Sequence, residues 1–456
     1  MTNGLHVCIF TDQHPQTLGG AQASVVLQRT FLERAGHTVT IVAPRNPAPG
    51  SPDPAVVELP ALTLAQGQYS AVLAGAGLDA RIDRALAARG PVSVVHLQGD
   101  FWGAWLGKRY AARHRLPVVL TTHTNVDASF RAVAGPVAEL GLRAVSAWQR
   151  QVTGERTRRS GNGTGYDYLR ALAAGVGSVV APSGHFAARL RRAGLSVTAV
   201  IPTGVHDDDV AASTGPARPT PRQDDRVRLV WLGRFSAEKR PLELIEALAA
   251  TDRHIEADLY GTGVLFDRAV RRVQALGLTD RVRLHGAVDH SRALRAIASA
   301  DLLVQTSRGF ETQGMTVYEA LALGVPVVVC DPDIAAELGG AELGTAELTS
   351  AAEPGAEPWV WCADGPEPGS LARVLTDSAR AVRSADGSPV PAALSTGLLQ
   401  SAQTRRLLAV YADAMRSGAD QGQGAGQSRP AALSARYSSA SRGARSSGSA
   451  STTSAP

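Results

Sequence analysis

The stretch DLLVQTSRGFETQGMTVYEALALGVPVVVCD, residues 301–331, carries the pattern that decides the fold. An apolar run, DLLVQTS, is followed by a glycine-containing loop, a helical stretch that begins near Met315, and a second apolar run, VPVVVCD. Short apolar runs bounded by loops are typical of strands that are buried on both faces. The order strand, loop, helix, strand therefore predicts a parallel α/β sheet.

The same alternation fills most of the chain. LHVCIF, HTVTIVAP, VSVVHLQ, LPVVLTTHT and GSVVAPS are strand-like in the first half, and VRLVWLG, IEADLYG and RVRLHG begin a second series. We predict an α/β fold with two Rossmann-like domains. The predicted segments are an N-terminal domain (1–207), a linker rich in Pro, Asp and Arg (208–226), a C-terminal domain (227–395), an amphipathic helix (396–416) and a disordered tail of mainly Ser, Gly, Ala and Arg (417–456).

Composition limits the possible classes of protein. The 456 residues are 44% hydrophobic and 19% charged, which is the balance of a soluble globular protein. No run approaches the roughly 18 to 20 apolar residues of a spanning helix, and the polar start lacks the charged region of a signal peptide, so we expect a cytoplasmic protein. Cys8, Cys330 and Cys362 are far apart and form no CxxC pair. We predict no disulfide framework, no metal and no other cofactor.

The helix that begins near Met315 is a candidate anion site. A helix that starts after a strand directs free backbone N–H groups and its positive dipole end toward the carboxyl edge of the sheet. Glu311 lies in the preceding loop and Glu319 in the second helical turn. A sugar nucleotide over this helix could bind N–H donors through its diphosphate and carboxylates through its hydroxyls. The alternative is that two glutamates have this spacing by chance.

A second candidate, WLGRFSAEKRP, follows the first strand of the C-terminal domain. Arg234 lies directly after the strand, and Lys239 lies at the start of the next helix. Cationic groups at this position can neutralise a diphosphate and stabilise the charge that grows on it as it leaves. The chain has only two lysines, Lys108 and Lys239, which favours a functional role for Lys239, whereas Arg234 could also be an ordinary solvated loop residue.

The N-terminal domain offers weaker candidates. Gly19 and Gly20 precede a helix after the first strand, where backbone can approach a phosphate closely, although glycines also form plain turns. His123 follows the strand LPVVL, at the edge where parallel sheets open onto a cleft. A single histidine at such a place is either catalytic or a structural hydrogen-bonding group.

Together these features resemble the family 4 retaining glycosyltransferases of the GT-B fold, over about residues 5–416. The resemblance rests on the Gly19–Gly20 loop, His123 in the sequence HTN, the Arg234 and Lys239 pair, the GTG turn at 261–263, and Glu311 with Glu319. It implies that the two domains face each other across a cleft and that the late amphipathic helix crosses back to the first domain.

The resemblance also assigns residue roles. Arg234 and Lys239 would bind the donor diphosphate, and Glu319 would bind the ribose hydroxyls. His123 would lie near the reacting centre. Glu311 would hold the transferred sugar and phosphate together with the backbone of Gly314, Met315 and Thr316. Members of the family retain the anomeric configuration, need no metal, and use a front-face displacement in which the leaving diphosphate helps to deprotonate the acceptor.

Within the family, the ETQG sequence at 311–314 and the HT pair are most similar to bacterial diacylglycerol glucosyltransferases, although TLGG replaces their usual NGV-like loop. UDP-glucose is therefore the expected donor, with GDP-mannose next, and a lipid or other cell-envelope molecule is the expected acceptor. Residues 131–160 contain six arginines among apolar residues. This segment either contacts an anionic membrane on the inner face of the plasma membrane or is an ordinary amphipathic helix and loop.

Other classes are less consistent with the sequence. A dinucleotide-dependent oxidoreductase needs GxGxxG at its first helix, where this chain has TLGGAQAS. A nucleotide-sugar epimerase of similar fold remains an alternative, as does a non-catalytic nucleotide-sugar-binding protein. Nucleic-acid binding is not expected, because only 5% of the residues are aromatic and none are interleaved with basic clusters.

Overall fold

The computed structural model describes residues 4–17, 19–46, 52–64, 69–72, 75–128, 164–213, 226–339, 358–384 and 390–424. The first part contains a sheet with seven described strands, all paired in parallel, in the order β3-β2-β1-β6-β7-β8-β9. These strands are β1 (His6–Phe10), β2 (Thr38–Pro44), β3 (Val56–Leu59), β6 (Val94–Leu97), β7 (Val118–Thr121), β8 (Ser178–Ala181) and β9 (Ala199–Val200). A short antiparallel pair, β4 (Leu62–Leu64) and β5 (Tyr69–Ala71), lies outside this sheet.

Helices cover both faces of the first sheet, which explains the continuous apolar runs in the sequence. Cys8 and Phe10 of β1 belong to one core, and Val7 and Ile9 belong to the core on the other face. Successive strand residues point to opposite faces, so a strand covered on both sides has no face exposed to solvent. The helices described here are α1 (Gly20–Arg34), α2 (Ala76–Ala87), α3 (Trp102–His114), α4 (Gly165–Ala173) and α5 (Gly184–Arg192).

The second part repeats this architecture. Its described sheet has six parallel strands in the order β12-β11-β10-β13-β14-β15. The strands are β10 (Val227–Leu232), β11 (Ile255–Tyr260), β12 (Val282–Leu284), β13 (Leu302–Gln305), β14 (Val327–Val329) and β15 (Val360–Cys362). The helices are α7 (Pro241–Ala249), α8 (Phe266–Ala275), α9 (His290–Ala298), α10 (Met315–Ala322), α11 (Pro332–Gly339) and α12 (Pro368–Ser384). Two Rossmann-like parallel sheets confirm the predicted fold class.

The chain returns to the first domain at its C-terminal end. After α13 (Ala392–Gly397), the long helix α14 (Gln400–Gly424) places Tyr411 and Leu407 in the same core as Val7 and Ile9 of β1. The Tyr411 hydroxyl lies 2.6 Å from Nδ1 of His96 at the centre of the first sheet. The predicted crossover helix is therefore confirmed.

Two segments differ in detail from the predicted boundaries. Residues 207–213, at the start of the predicted linker, form the helix α6 (Asp207–Ser213), whose first turn has three aspartates that complement the helix dipole. The crossover helix runs to Gly424, past its predicted end at 416. The remainder of the predicted linker, up to residue 225, and the predicted tail beyond 424 lie outside the described residues, as does the arginine-rich segment 131–160.

The described residues include no helix whose length and apolar content would suffice to cross a membrane.

Candidate active site

The cleft between the two domains lies at the carboxyl edges of both sheets, and the loop of residues 311–313 contacts the first domain from the second. The backbone carbonyl of Glu311 lies 3.2 Å from Nε2 of His185. Thr312 donates through its hydroxyl to the carbonyl of His123, at 3.0 Å. The side chain of Gln313 forms two hydrogen bonds, of 3.0 and 2.9 Å, with the backbone of Thr203. All three residues of the 311–313 loop thus join the domains.

The start of α10 is built as an open helix N-terminus. Gly314 precedes it with a φ of 82°, a left-handed conformation that favours glycine, and no side chain caps the helix. The first N–H groups of a helix, here at Met315 and Thr316, have no partner within the helix. The helix therefore presents backbone donors and its positive dipole end to the cleft, as an anion site requires.

The glycine pair of the first domain lies against this helix start. Gly20 is the first residue of α1, after Gly19. A Cβ on Gly20 would lie 3.2 Å from Sδ of Met315, so a larger residue would push against the beginning of α10. The predicted donor-binding residues Gly20 and Met315 are therefore brought together across the cleft.

Lys239 and Glu311 form an ion pair within the second domain. Lys239 is in a short 3-10 helix (Ala237–Lys239), and its Nζ lies 5.7 Å from the centroid of the Phe310 ring. Burial alone would raise the pKa of Glu311, but the Lys239 charge and hydrogen bonds from Lys239 and Ser307 lower it. The pair holds an ionised carboxylate and a cation beside the open helix start.

Arg234 and Glu319 make fewer contacts. Arg234 is exposed, and its guanidinium forms no hydrogen bond or ion pair with another described residue. Glu319 is buried, with 8% of its surface exposed, and burial raises its pKa, partly offset by the charge of His290. Its Oε1 lies 3.9 Å from Nδ1 of His290. The roles assigned to both residues by resemblance remain predictions.

His123 lies directly after β7, and its Nε2 is 2.5 Å from Oε1 of Gln98. Burial lowers the pKa of His123 to about 4. Gln98 donates through its amide nitrogen to Gln28, so its oxygen faces the histidine, and Nε2 of a neutral His123 must carry the hydrogen. Nδ1 then holds a lone pair, and the ring can accept a hydrogen bond from a hydroxyl but cannot donate one through that atom.

Sequence reasoning missed a pair of carboxylates beneath His123. Asp100 accepts a hydrogen bond from the His123 backbone N–H at 2.9 Å. Burial first, and the neighbouring Asp12 second, raise the pKa of Asp100 to about 7. Asp12 in turn accepts three backbone hydrogen bonds at the start of α3, from Asp100, Phe101 and Gly103. The available signal is an aspartate in each of the loops that follow β1 and β6, at the carboxyl edge of the sheet.

The GTG turn has a structural role. A Cβ on Gly261 would overlap the carbonyl oxygen of Gly233, and one on Gly263 would overlap that of Phe235. Both glycines also have positive φ values, of 131° and 152°. The two glycines let the loop after β11 pack directly against the backbone of the loop that carries Arg234. This packing supports the loop of the candidate donor site.

Among the described residues, no group of three His, Cys, Asp or Glu side chains is placed to hold a metal ion. Asp331 and Asp333 have a spacing that metal ligands can adopt, but they serve other partners. Asp331 accepts from the backbone N–H of Gly309 at 2.7 Å, and Asp333 forms an ion pair with Arg189 at 2.6 Å. Metal independence remains a prediction.

Comparison with known proteins identifies the family of both domains. A family model described as Glycosyltransferase Family 4 matches residues 18–209, and one described as Glycosyl transferases group 1 matches residues 217–342. The chain is 25% identical over 344 residues to a phosphatidyl-myo-inositol mannosyltransferase of Mycobacterium leprae, covering 72% of this chain and 78% of that protein. It is 24% identical over 339 residues to an alpha-monoglucosyldiacylglycerol synthase of Streptococcus pneumoniae, covering 71% and 70%.

A solved structure of HepE from Anabaena, in complex with UDP-glucose, shares the fold. The TM-score is 0.56 at 17% sequence identity, and the match covers 90% of this chain and 99% of that one. The fold and the two family models define a GT-B glycosyltransferase. The chain belongs to glycosyltransferase family 4.

Proposed function

We propose that this glycosyltransferase moves a hexose, with retention of anomeric configuration and without a metal ion, from a nucleoside-diphosphate sugar to a lipid acceptor. The observation that carries the proposal is the meeting of three features in one cleft: the open N-terminus of α10, the Lys239 and Glu311 pair, and His123 from the opposite domain. A diphosphate needs donors and positive charge, and both are present at the helix start.

The proposed reaction breaks the bond between the sugar C1 and the diphosphate oxygen and forms a bond from C1 to the acceptor oxygen on the same face. The departing diphosphate takes the acceptor proton. Backbone N–H groups at Met315 and Thr316, with Lys239, would stabilise the negative charge that develops on the leaving group. His123, neutral and with a free lone pair on Nδ1, fits a role in accepting a hydrogen bond from a sugar hydroxyl rather than in donating a proton.

Two donors are favoured by different observations. The ETQG sequence at 311–314 and the similarity to the pneumococcal glucosyl lipid synthase support UDP-glucose. The similarity to a phosphatidyl-myo-inositol mannosyltransferase supports transfer of mannose, for which GDP-mannose is the expected donor. The names of both relatives include a lipid, which supports a lipid acceptor here. A lipid acceptor is consistent with an enzyme that acts at the inner face of the plasma membrane.

A thermal-shift panel of UDP-glucose, GDP-mannose and ADP-glucose, each with and without EDTA, tests the donor site. We expect one of the first two to raise the melting temperature in both conditions, because donor binding stabilises the folded state by mass action. A shift that disappears with EDTA and returns with manganese would contradict metal-independent binding. No shift with any of the three sugars would contradict the donor site itself.

Turnover assays separate the proposal from its alternatives. An epimerase would convert the nucleotide sugar without an acceptor, and a binding protein would leave it intact. A transferase instead releases the nucleoside diphosphate in step with a glycosylated lipid.

For membrane contact through 131–160, we expect co-sedimentation with vesicles containing anionic phosphatidylglycerol, and none with pure phosphatidylcholine.

A further inference from the structure

The start of α5, in the first domain, contacts the 311–313 loop of the second. Ser183 precedes the helix, and its hydroxyl donates to the carbonyl of Thr312 at 2.5 Å while accepting from the backbone of Phe186. His185, in the first turn, is buried, and its Nε2 lies 3.2 Å from the carbonyl of Glu311. A segment that sequence reasoning left without a role therefore touches the loop that carries Glu311.

A buried carboxylate of the second domain completes the contact. Glu337, in α11, accepts hydrogen bonds from the backbone N–H groups of Gly184 and His185, at 2.7 and 3.0 Å. It also lies 2.5 Å from Nδ1 of His185 and accepts from the hydroxyl of Tyr318 at 3.0 Å. An anion at a helix N-terminus is stabilised by the helix dipole, so Glu337 binds α5 across the domain boundary.

The partners of His185 determine its charge. Nδ1 faces the carboxylate of Glu337, and Nε2 faces the backbone carbonyl of Glu311. Both groups only accept hydrogen bonds, so both ring nitrogens must carry hydrogens, and the ring is an imidazolium. The contact is therefore an ion pair with Glu337 and, at the same time, a charge-assisted hydrogen bond to the Glu311 main chain.

We propose that His185 is a positioning residue: as an imidazolium held by Glu337, it fixes the backbone of Glu311 when the two domains are closed and so sets the carboxylate of Glu311 beside Lys239. The inference rests on the proposed function, because it gives Glu311 a role toward the donor. His185 would therefore couple the contact between the domains to the conformation of the 311–313 loop.

Two conservative substitutions separate the two hydrogen bonds of the His185 ring, one to Glu337 and one to the Glu311 carbonyl. In His185→Asn the side-chain amide nitrogen takes about the place of Nδ1, so it can donate to Glu337 but not reach the Glu311 carbonyl. In His185→Gln the amide nitrogen takes about the place of Nε2, so it can donate to the Glu311 carbonyl but not reach Glu337. Both remove the charge, and both keep the backbone bonds to Glu337. Tyr318→Phe serves as a matched control, because it removes one partner of Glu337 without touching Glu311.

The first readout is amide hydrogen exchange over residues 309–314, which needs no substrate. We expect His185→Asn to raise the exchange rate about 10-fold over wild type, the effect of losing one charge-assisted hydrogen bond. His185→Gln should raise it less, because a neutral hydrogen bond to the Glu311 carbonyl remains, and Tyr318→Phe should stay near wild type. Equal exchange in the Asn and Gln variants, or faster exchange in Gln, would overturn the proposal.

The second readout is kcat/KM for UDP-glucose or GDP-mannose, whichever the wild type turns over. We expect a loss about 10-fold larger in His185→Asn than in His185→Gln, although the melting temperature falls at least as much in the Gln variant, because that variant loses the side-chain contact to Glu337. A loss of kcat/KM that simply follows the melting temperature would overturn the positioning role. A wild type that turns over neither sugar would count against the proposed function, and hydrogen exchange would still decide the role of His185.

Discussion

The hydroxyl of Thr312 donates a hydrogen bond of 3.0 Å to the backbone carbonyl of His123. This bond joins the predicted reacting centre of the first domain to the loop that follows Glu311 in the second. The His123 ring contacts Gln98 of its own domain, whereas the His123 backbone carbonyl accepts a hydrogen bond from Thr312 of the other domain. The position of His123 relative to the donor site therefore depends on the contact between the two domains.

Lys239→Ala should weaken donor binding at least about 10-fold, because it removes the cation that a diphosphate would meet and leaves the half-buried Glu311 carboxylate without its ion-pair partner. Isothermal titration calorimetry measures this change. The other lysine supplies the control: Lys108 donates to backbone carbonyls of Ala171 and Leu172, so Lys108→Ala should alter stability but not donor affinity. Unchanged affinity in Lys239→Ala would refute the role of this lysine.

Glu319→Gln should separate stability from function. Burial raises the pKa of Glu319, so its ionised form is disfavoured in the folded protein, and stability falls as pH rises above the pKa of the unfolded state. At pH 7 the glutamine variant should therefore melt at the same or a higher temperature. It should bind the donor about 10-fold more weakly, because a carboxylate acceptor for the ribose is lost. A variant that binds the donor as well as wild type would exclude the ribose role.

The half-buried, neutral His123 should make the wild type more sensitive to acid than a variant without it. Its pKa is lowered to about 4 by burial, so between roughly pH 6.5 and 4 the unfolded chain binds a proton that the folded protein does not. The unfolding free energy of the wild type should thus fall toward that of His123→Asn as pH is lowered from 7 to 5. Urea titrations at several pH values measure the difference, and a difference that widens on acidification would show a charged His123 in the folded protein.

Tyr411→Phe tests the attachment of the crossover helix. The Tyr411 hydroxyl is buried and bonds to His96, whose own pKa is lowered to about 3 by burial. Losing this hydrogen bond should cost about 1 to 3 kcal/mol of unfolding free energy in urea denaturation. Asp413→Asn, on an exposed position of the same helix, should cost less than about 0.5 kcal/mol. Equal effects of the two substitutions would mean that the helix is not anchored through Tyr411.

Local patterns in the sequence predict the fold well. Strands such as β1 and β13 are buried on both faces, and therefore appear as continuous apolar runs, whereas Gly314 and Met315 mark a loop-to-helix transition. The rarity of lysine in the chain draws attention to Lys239, and in the structure this residue forms an ion pair with Glu311. These features depend on residues close together in sequence or on the family resemblance.

The contact between His185 and Glu337 could not be predicted in the same way. The two residues are 152 positions apart, lie in different domains, and follow no periodic pattern. Burying either charged side chain alone would cost free energy of folding, and the two side chains meet only because the two domains pack together. The pair Asp12 and Asp100 is similar, because the order of the strands in the sheet brings together two carboxylates that are far apart in the chain.

The most direct test of the donor site is turnover, with the anomeric configuration of the product as the readout. Purified protein is incubated in EDTA with UDP-glucose or GDP-mannose and vesicles that contain diacylglycerol or phosphatidylinositol, and the one-bond carbon–hydrogen coupling at the sugar C1 is measured by NMR. We predict an α-linked glycolipid, with the configuration of the donor, and one nucleoside diphosphate released per sugar transferred. A β-linked product would contradict retention, and the absence of both turnover and donor binding would contradict the proposed function as a whole.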